Sequence, residues 1–288
     1  MVAGHGRHCV VETPDGRRLI CHPRGKKSQA VVGDRVQWQP SQDEGTIEKV
    51  ITRRNLFYRQ DDVRTKSFAA NLDQVLILIA AEPEFSEQQL SRALIAAEAE
   101  HITPLIVLNK SDLPAPFSLA WERLAPYRDM GYTLMPASLK AATDEQLQPI
   151  KNQLNGKTTL VLGPSGSGKS TLINRLVHGA REISQALNSG KHTTTSTNWY
   201  WVDREQGTAL IDSPGFQEFG LRHVDPMQLA AYMPDLKPHV AGCKFYNCPR
   251  LHEPGCGVLA VVGAACGVNA RRHRIYSDLF AELSASRY

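Results

Sequence analysis

The stretch Gly163-Pro164-Ser165-Gly166-Ser167-Gly168-Lys169-Ser170 decides how the rest of this chain is interpreted. It matches the pattern GxxxxGK[ST], in which backbone N–H groups and the N-terminus of a following helix face phosphate oxygens. The flanks fit, because residues 158–162 have the composition of a strand and residues 171–178 that of a helix. We therefore predict a phosphate-binding loop in which Lys169 neutralises the β- and γ-phosphates and Ser170 holds Mg²⁺.

Around this loop, apolar segments of strand length alternate with helical segments. Strands are predicted over residues 74–80, 104–108, 132–135, 158–162 and 208–211, and a helix over residues 88–100. Several of these strands are too continuously apolar to be half exposed, which is typical of a parallel sheet covered on both faces. The centre of the chain is thus predicted to be a doubly wound α/β domain.

The first sixty residues have a different texture, with short strands at residues 8–11, 18–21, 35–38 and 45–50 between Gly and Pro turns. This spacing predicts a small β-barrel. An OB-like barrel is favoured because basic residues near the turns suit nucleic-acid binding, although an SH3-like barrel fits almost as well. Those basic residues are Arg17, Arg18, Arg24, Lys26 and Lys27.

After residue 220 the predicted strands stop, and residues 226–232 and 269–284 are predicted to be helical. We therefore divide the 288 residues into domains at 1–66, 67–222 and 223–288. The first carries 13 Lys and Arg against 8 Asp and Glu, the second 13 against 16 and the third 7 against 5. The two ends are basic and the middle is acidic, which is compatible either with nucleic-acid contact or with ordinary solvated surface.

No part of the sequence resembles a targeting or membrane segment. The longest uncharged apolar stretch, residues 257–268, is shorter than the ~18 residues that a membrane span needs, and the N-terminus lacks the apolar core of a signal peptide. We expect a soluble cytoplasmic protein with no membrane partner. In that compartment, four of the six cysteines within residues 243–266 favour a metal site over disulfides.

Two further motifs follow predicted strands. Asp212-Ser213-Pro214-Gly215 places a carboxylate where it can reach Mg²⁺ through water and a glycine N–H where it can meet the γ-phosphate. Asn109-Lys110-Ser111-Asp112 is expected to select guanine over adenine, because the Asp112 carboxylate can accept hydrogen bonds from two guanine N–H groups that adenine lacks. Together with the phosphate-binding loop, these motifs predict GTP as the ligand.

The order of the motifs is unusual. In Ras-like GTPases the phosphate-binding loop comes first, whereas here Asn109 to Asp112 and a candidate base-contacting loop, Ala137-Ser138, precede Gly163. The domain is therefore expected to be circularly permuted. In this order and in three further segments the chain resembles the YjeQ/RsgA family of permuted GTPases that associate with the bacterial small ribosomal subunit. Those segments are residues 31–36, 70–74 and 190–195.

The resemblance implies a multi-domain α/β protein with an N-terminal OB-like β-barrel that binds rRNA, a circularly permuted P-loop GTPase domain and a small helical zinc-binding C-terminal domain. It implies GTP hydrolysis to GDP and phosphate, stimulated by the small subunit and serving its late maturation. The protein is expected to be a monomer. The family usually has a longer basic tail before the barrel, so rRNA affinity is expected to be reduced or carried elsewhere.

The resemblance also implies roles for single residues. Thr194 would be the switch threonine that senses Mg²⁺ and the γ-phosphate, with Thr193 and Thr195 as alternatives by spacing. Phe216 occupies the position of the water-orienting glutamine of Ras-like enzymes, so intrinsic hydrolysis is predicted to be slow. His192 would position water, or else have a structural role. The GTP-binding set is Asn109, Lys110, Asp112, Ala137, Ser138, residues 163–170, Thr171 and Gly215.

A zinc site is predicted from Cys243-x4-Cys248-x3-His252-x3-Cys256, which offers three thiolates and an imidazole to one structural Zn²⁺. The family's usual ligand histidine lies two residues after the second cysteine, where this chain has Arg250. His252 is therefore the expected substitute, with Cys266 as a poorer one.

Two other functions fit parts of the sequence. The basic ends and Phe216 fit an RNA-binding module that is gated by guanine nucleotide, with incidental hydrolysis. An ATP-dependent kinase or ATPase would require Asn109 to Asp112 to be a coincidence.

Overall fold

The structure is a computed structural model that describes residues 1–5, 8–24, 30–41, 44–177, 196–215 and 218–285. The strands are β1 Ala3–His5, β2 His8–Glu12, β3 Arg18–Pro23, β4 Val36–Ser41, β5 Glu44–Val50, β6 Leu56–Gln60, β7 Thr65–Ala70, β8 Gln74–Ala80, β9 Thr103–Asn109, β10 Thr133–Pro136, β11 Thr158–Leu162, β12 Asn198–Asp203 and β13 Thr208–Asp212. The α-helices are α1 Glu87–Ala99, α2 Pro114–Arg123, α3 Ala125–Asp129, α4 Gln148–Leu154, α5 Lys169–Leu176 and α6 Ala270–Ser284. Shorter 3-10 helices span Pro226–Tyr232, Lys237–Gly242 and Leu259–Val261.

A mixed sheet forms the centre of the molecule, and its parallel part follows the order β10-β9-β8-β11-β13. Strand β12 continues it in antiparallel orientation. All seven residues of β8 are buried, because helices cover both faces of the sheet. The five strands predicted for this domain are confirmed, with ends that differ by at most one residue.

The two faces of the sheet belong to different apolar cores. On β8, Val75, Ile77 and Ile79 pack in the core that includes α1, whereas Leu76 and Leu78 pack in the core that includes α4 and α5. This alternation follows from the two-residue period of a strand. The doubly wound arrangement predicted from the sequence is therefore confirmed.

The N-terminal strands continue the same hydrogen-bonded sheet. Strand β1 pairs with β2 and also with β12, where Ala3 lies opposite Asn198. Strands β2 and β3 are antiparallel, β3 and β5 are parallel, and β4 and β5 are antiparallel. A small separate core lies among these strands, built from Cys9, Val11, Cys21 and Ile47.

A hairpin of β6 and β7 connects the N-terminal strands to the central sheet. Neither strand was predicted from the sequence, and the hairpin crosses residue 66. The rings of Phe57 and Phe68 pack against Phe219, and the Gln60 N–H donates to the Gly220 carbonyl at 3.0 Å. The hairpin is thereby held to the segment that follows the Asp212 motif.

Hydrogen bonds from two arginines join the C-terminal segment to α1. Arg272 on α6 donates to Asp235 at 2.9 Å and to the hydroxyl of Ser91 on α1 at 2.6 Å. Arg92 on α1 donates to Glu282 on α6 at 2.9 Å. Residues 226–232 form a 3-10 helix rather than an α-helix, and α6 begins at Ala270 as predicted to within one residue. No helix in the described ranges is both long and apolar enough to cross a lipid bilayer.

Candidate GTP site and cysteine cluster

The loop from Gly163 to Ser170 joins the carboxyl end of β11 to the start of α5, as the sequence predicts. Gly168 precedes α5 with φ +106°, a left-handed conformation that favours glycine. A Cβ atom there would lie 2.4 Å from Asn109 Nδ2. No side chain caps this end of α5. Its first N–H groups are therefore available to an anionic ligand.

Asn109, at the end of β9, forms hydrogen bonds with two loops that lie far apart in the permuted sequence. Its Nδ2 donates to the Ser167 carbonyl at 2.9 Å, and its Oδ1 accepts from the Leu139 N–H at 3.0 Å. The residue is only 5 % exposed. One side chain thus links the phosphate-binding loop to the loop that holds Ala137 and Ser138.

Asp112 and Ser138 lie together at the same edge of the sheet. The Ser138 hydroxyl donates to Asp112 Oδ1 at 2.6 Å, and the Ser111 N–H donates to the Ala137 carbonyl at 2.9 Å. The hydrogen bond from Ser138, with Lys110 nearby, holds the pKa of Asp112 below its usual value. Asp112 is exposed and ionised, so its carboxylate is an open acceptor for a ligand's N–H groups.

Lys169 and the Asp212 motif meet at the other end of the loop. Lys169 Nζ donates to the carbonyls of Gly163 and Pro164 at 2.8 and 2.9 Å. Burial lowers the pKa of Lys169, and the charge of Asp212 opposes that shift. A Cβ atom on Gly215 would lie 3.3 Å from Lys169 Nζ, so the two motifs are in contact. A triphosphate bound here would compete with the carbonyl groups for the lysine.

Several predicted residues lie outside the described ranges, namely His192, Thr193, Thr194, Thr195 and Phe216, together with Lys26 and Lys27 of the barrel. The structure describes Ser170 as exposed at the start of α5 and Thr171 as half-buried. Arg175, which no sequence motif marks, donates to the carbonyls of Leu139 and Ala142 at 3.0 and 2.7 Å.

Three of the basic residues predicted to serve the barrel in nucleic-acid binding lie in the described ranges, and each pairs with a carboxylate. Arg17 pairs with Asp15, Arg18 with Glu12 and Arg24 with Glu48. Glu12 also accepts from Trp201 Nε1 on β12 at 2.7 Å. Neighbouring carboxylates therefore balance the positive charge of these three arginines, which the count from the sequence included in the basic excess.

Three of the predicted zinc ligands converge. The Sγ atoms of Cys243, Cys248 and Cys256 all lie within 4.8 Å of one another, and Cys248 and Cys256 are buried. Burial raises the pKa of Cys248 to about 12. A bound cation would oppose this by favouring the thiolate. Three convergent sulfur donors fit a soft or borderline metal ion such as Zn²⁺.

In the structure the three sulfur atoms converge without the His252 imidazole. The side chain of His252 is 85 % exposed, and its Nε2 lies 3.6 Å from Glu253 Oε1. The N–H groups of Leu251 and His252 both donate to Glu253 Oε2 and hold the backbone of this turn. Cys266 is exposed and also lies outside the group, whereas Arg250 is buried with φ +64°.

Comparison with known proteins agrees with this geometry. The sequence profile described as RsgA GTPase matches residues 50–222, which is more than half of the chain. The chain belongs to the RsgA GTPase family. Membership accounts for the permuted order in which the base motif of Asn109 to Asp112 precedes the phosphate-binding loop.

Full-length relatives support the same assignment to the RsgA GTPase family. A protein of Variovorax paradoxus named small ribosomal subunit biogenesis GTPase RsgA is 70 % identical, over 100 % of this chain and 93 % of its own. A protein of Burkholderia pseudomallei with the same name is 50 % identical, over 99 % of this chain and 91 % of its own. This chain is therefore a GTPase, as its motifs predict.

Solved structures extend the likeness to the fold. YjeQ from Thermotoga maritima has 28 % identity and a TM-score of 0.75, over 99 % of this chain and 98 % of its own. YloQ, described as a circularly permuted GTPase, has 25 % identity and a TM-score of 0.74, over 100 % and 96 %. The circular permutation expected from motif order is therefore confirmed.

Proposed function

We propose that this RsgA-family GTPase binds the small ribosomal subunit, that the subunit stimulates its GTP hydrolysis, and that it serves late maturation of the subunit. The nucleotide half of the proposal rests on two hydrogen bonds of the Asn109 side chain: it donates to Ser167 in the phosphate-binding loop and accepts from Leu139 in the base-contacting loop. The names of the full-length relatives support the ribosomal half.

In the proposed complex, Asp112 accepts the guanine N–H groups and Lys110, Ala137 and Ser138 line the base. The backbone of residues 163–171 surrounds the phosphates, with Lys169 on their outer oxygens. Mg²⁺ accompanies GTP and supplies charge neutralisation when bound. Ser170 and Thr194 would hold it directly and Asp212 through water, with Gly215 at the γ-phosphate. The exposed Ser170 and the buried Asp212 at adjoining loop ends are compatible with that donor set.

The hydrolytic step needs a group that orients water, which Phe216 cannot do. We propose His192 for this role, because an imidazole nitrogen can accept a hydrogen bond from water. GTP turnover of His192→Ala with and without small subunits tests it. A stimulated rate equal to that of the unsubstituted protein would remove His192 from the mechanism.

We propose that residues 1–66 form an OB-like barrel that contacts rRNA, followed by the GTPase domain over residues 67–222 and a zinc domain over residues 223–288. The antiparallel β2–β3 pair and the parallel β3–β5 pair support the barrel. The ion pairs of Arg17, Arg18 and Arg24 indicate that other residues supply much of the contact with RNA. We further propose that the protein acts in the cytoplasm as a monomer.

For the metal, we propose one structural Zn²⁺ on Cys243, Cys248 and Cys256, with His252 as fourth ligand. The three sulfur atoms support it, and the histidine would have to turn its imidazole inward. Metal content of purified Cys256→Ser and His252→Ala, prepared without chelator, separates the roles. Loss of zinc in the first with retention in the second would remove His252 from the ligand set.

Multiple-turnover GTP hydrolysis against added small subunits, at several salt concentrations, tests the whole function. We expect stimulation that declines steeply with salt, because phosphate contacts release counterions. Guanine-dependent RNA binding without stimulated turnover would favour the nucleotide-gated RNA-binding module instead. Equal competition by ATP and GTP would overturn the guanine assignment.

A further inference from the structure

The loop between Cys243 and Cys248 presents two adjacent aromatic side chains to solvent. Tyr246 is 97 % exposed and Phe245 is 46 % exposed. The other large apolar side chains that are exposed in the described ranges, Ile20, Val63 and Leu119, are isolated from one another in sequence. Single exposed apolar residues are ordinary, whereas two neighbouring aromatic side chains exposed on one turn are less common and favour a contact surface.

The backbone holds this turn at both ends. The Lys244 N–H donates to the Gly255 carbonyl at 2.9 Å, and the Cys248 N–H donates to the Phe245 carbonyl at 3.2 Å. The cysteines on either side belong to the convergent sulfur group. The turn is therefore ordered before any partner binds, which reduces the entropy lost on binding.

A cation lies beside the rings. Lys244 Nζ is 5.5 Å from the centroid of the Phe245 ring. Within the part of the chain that the structure describes, no carboxylate lies at ion-pairing distance from Lys244, in contrast to Arg17, Arg18 and Arg24. The tip thus offers flat ring faces together with a positive charge that has no acidic neighbour.

We propose that Tyr246 and Phe245 stack on unpaired bases of RNA while Lys244 contacts the adjacent phosphate. This inference rests on the proposed function, since it assigns one RNA contact of the ribosome-binding protein. Ring faces on an exposed turn suit the flat face of a splayed base, and the free ammonium suits the backbone beside it. An aromatic anchor for a protein partner is instead expected within a patch that excludes water, whereas polar exposed Lys244 and Asn247 flank these rings.

Binding of a fluorescein-labelled twelve-residue oligouridine, titrated against salt, tests the proposal. Tyr246→Ala is expected to weaken binding about 5- to 150-fold without changing the salt slope, because base stacking is worth about 1–3 kcal/mol. Tyr246→Phe keeps the ring and is expected to bind normally. Lys244→Gln is expected to reduce the slope of log K against log salt by about 0.7, since one phosphate contact is lost. Leu119→Ala, an exposed apolar position on α2, is the matched control.

A second measurement identifies the contact directly. The same oligonucleotide carrying 5-iodouridine is irradiated with the full-length protein, and the adduct is expected on the tryptic peptide 245–250. Metal content and melting temperature of each variant must match the unsubstituted protein, which excludes loss of the fold as the cause.

The proposal is overturned if adducts form only elsewhere, or if Tyr246→Ala binds the oligonucleotide as well as Leu119→Ala does. It is also overturned if Tyr246→Ala loses affinity for small subunits but not for RNA, because the partner is then a ribosomal protein. Stimulated GTP turnover of the unsubstituted protein tests the proposed function separately. Absence of stimulation contradicts that function, while the adduct still decides this inference.

Discussion

Replacing Asn109 with alanine should separate the two halves of the nucleotide site. The side chain makes hydrogen bonds of 2.9 and 3.0 Å to Ser167 and Leu139, and it is 5 % exposed. Truncation leaves a buried carbonyl and a buried N–H without these partners, at about 1–3 kcal/mol each. We expect a loss of about 2–6 kcal/mol in the free energy of unfolding.

Urea unfolding of nucleotide-free protein, followed by tryptophan fluorescence, measures this loss. Nucleotide titration should show weaker binding of both GTP and GDP, because both nucleotides need the base and phosphate loops in register. Asn152→Ala is the matched control, since Asn152 is exposed and bonds only to Gln148 among the described side chains. If Asn109→Ala unfolds within about 0.5 kcal/mol of that control, the bridging role is wrong.

Three further predictions concern charged side chains. Asp235→Ala should lower the free energy of unfolding by about 3–5 kcal/mol, because Arg272 is only 3 % exposed and loses its carboxylate partner. Adding Arg272→Met should recover much of that loss, as measured in thermal melts. The hydrogen bond from Arg92 holds the pKa of Glu282 below its usual value. The pair therefore stabilises the fold fully at pH values above the usual pKa of a glutamate, and this stabilisation is lost as the pH falls through the lower pKa of the folded state. Urea midpoints from about pH 6 to 3 should therefore fall more steeply for the unsubstituted protein than for Glu282→Gln, and parallel curves would contradict this. Asp112→Asn should weaken GTP binding about 100-fold and favour xanthosine triphosphate, because the amide N–H group is a donor where guanine also donates. If the two nucleotides compete for Asp112→Asn as they do for the unsubstituted protein, the contact of Asp112 with the base is refuted.

Much of the central domain follows from local patterns. A buried parallel strand must be apolar on both faces, so β8 is visible in the sequence as the unbroken apolar run from Val75 to Ala80. The β6–β7 hairpin was missed because its strands, with patterns such as Thr65-Lys66-Ser67, are half exposed and depend on Phe219, far away in sequence, for their packing.

Charge counting was a weaker guide than motif spacing. The excess of basic residues at the N-terminus suggested a nucleic-acid surface, but Arg17, Arg18 and Arg24 have carboxylate partners. Composition counts charges without their distances, and an ion pair has little long-range field.

The position of His252 shows the same limit for metal ligands. Spacing from Cys248 and Cys256 made it a natural ligand, yet in the structure its side chain is 85 % exposed and lies beside Glu253. Ligand spacing fixes which side chains are near in sequence, whereas side-chain direction depends on the turn that joins them.

The sequence alone determined the chemistry: a phosphate loop, a guanine-reading carboxylate and their reversed order, because each motif is a short stretch whose residues act together. The tertiary structure decided which distant groups meet, as in the contact of Asn109 with Ser167 and the pairing of β1 with β12. Such contacts join segments separated by 58 residues or more, and their stability comes from burial that no local pattern records.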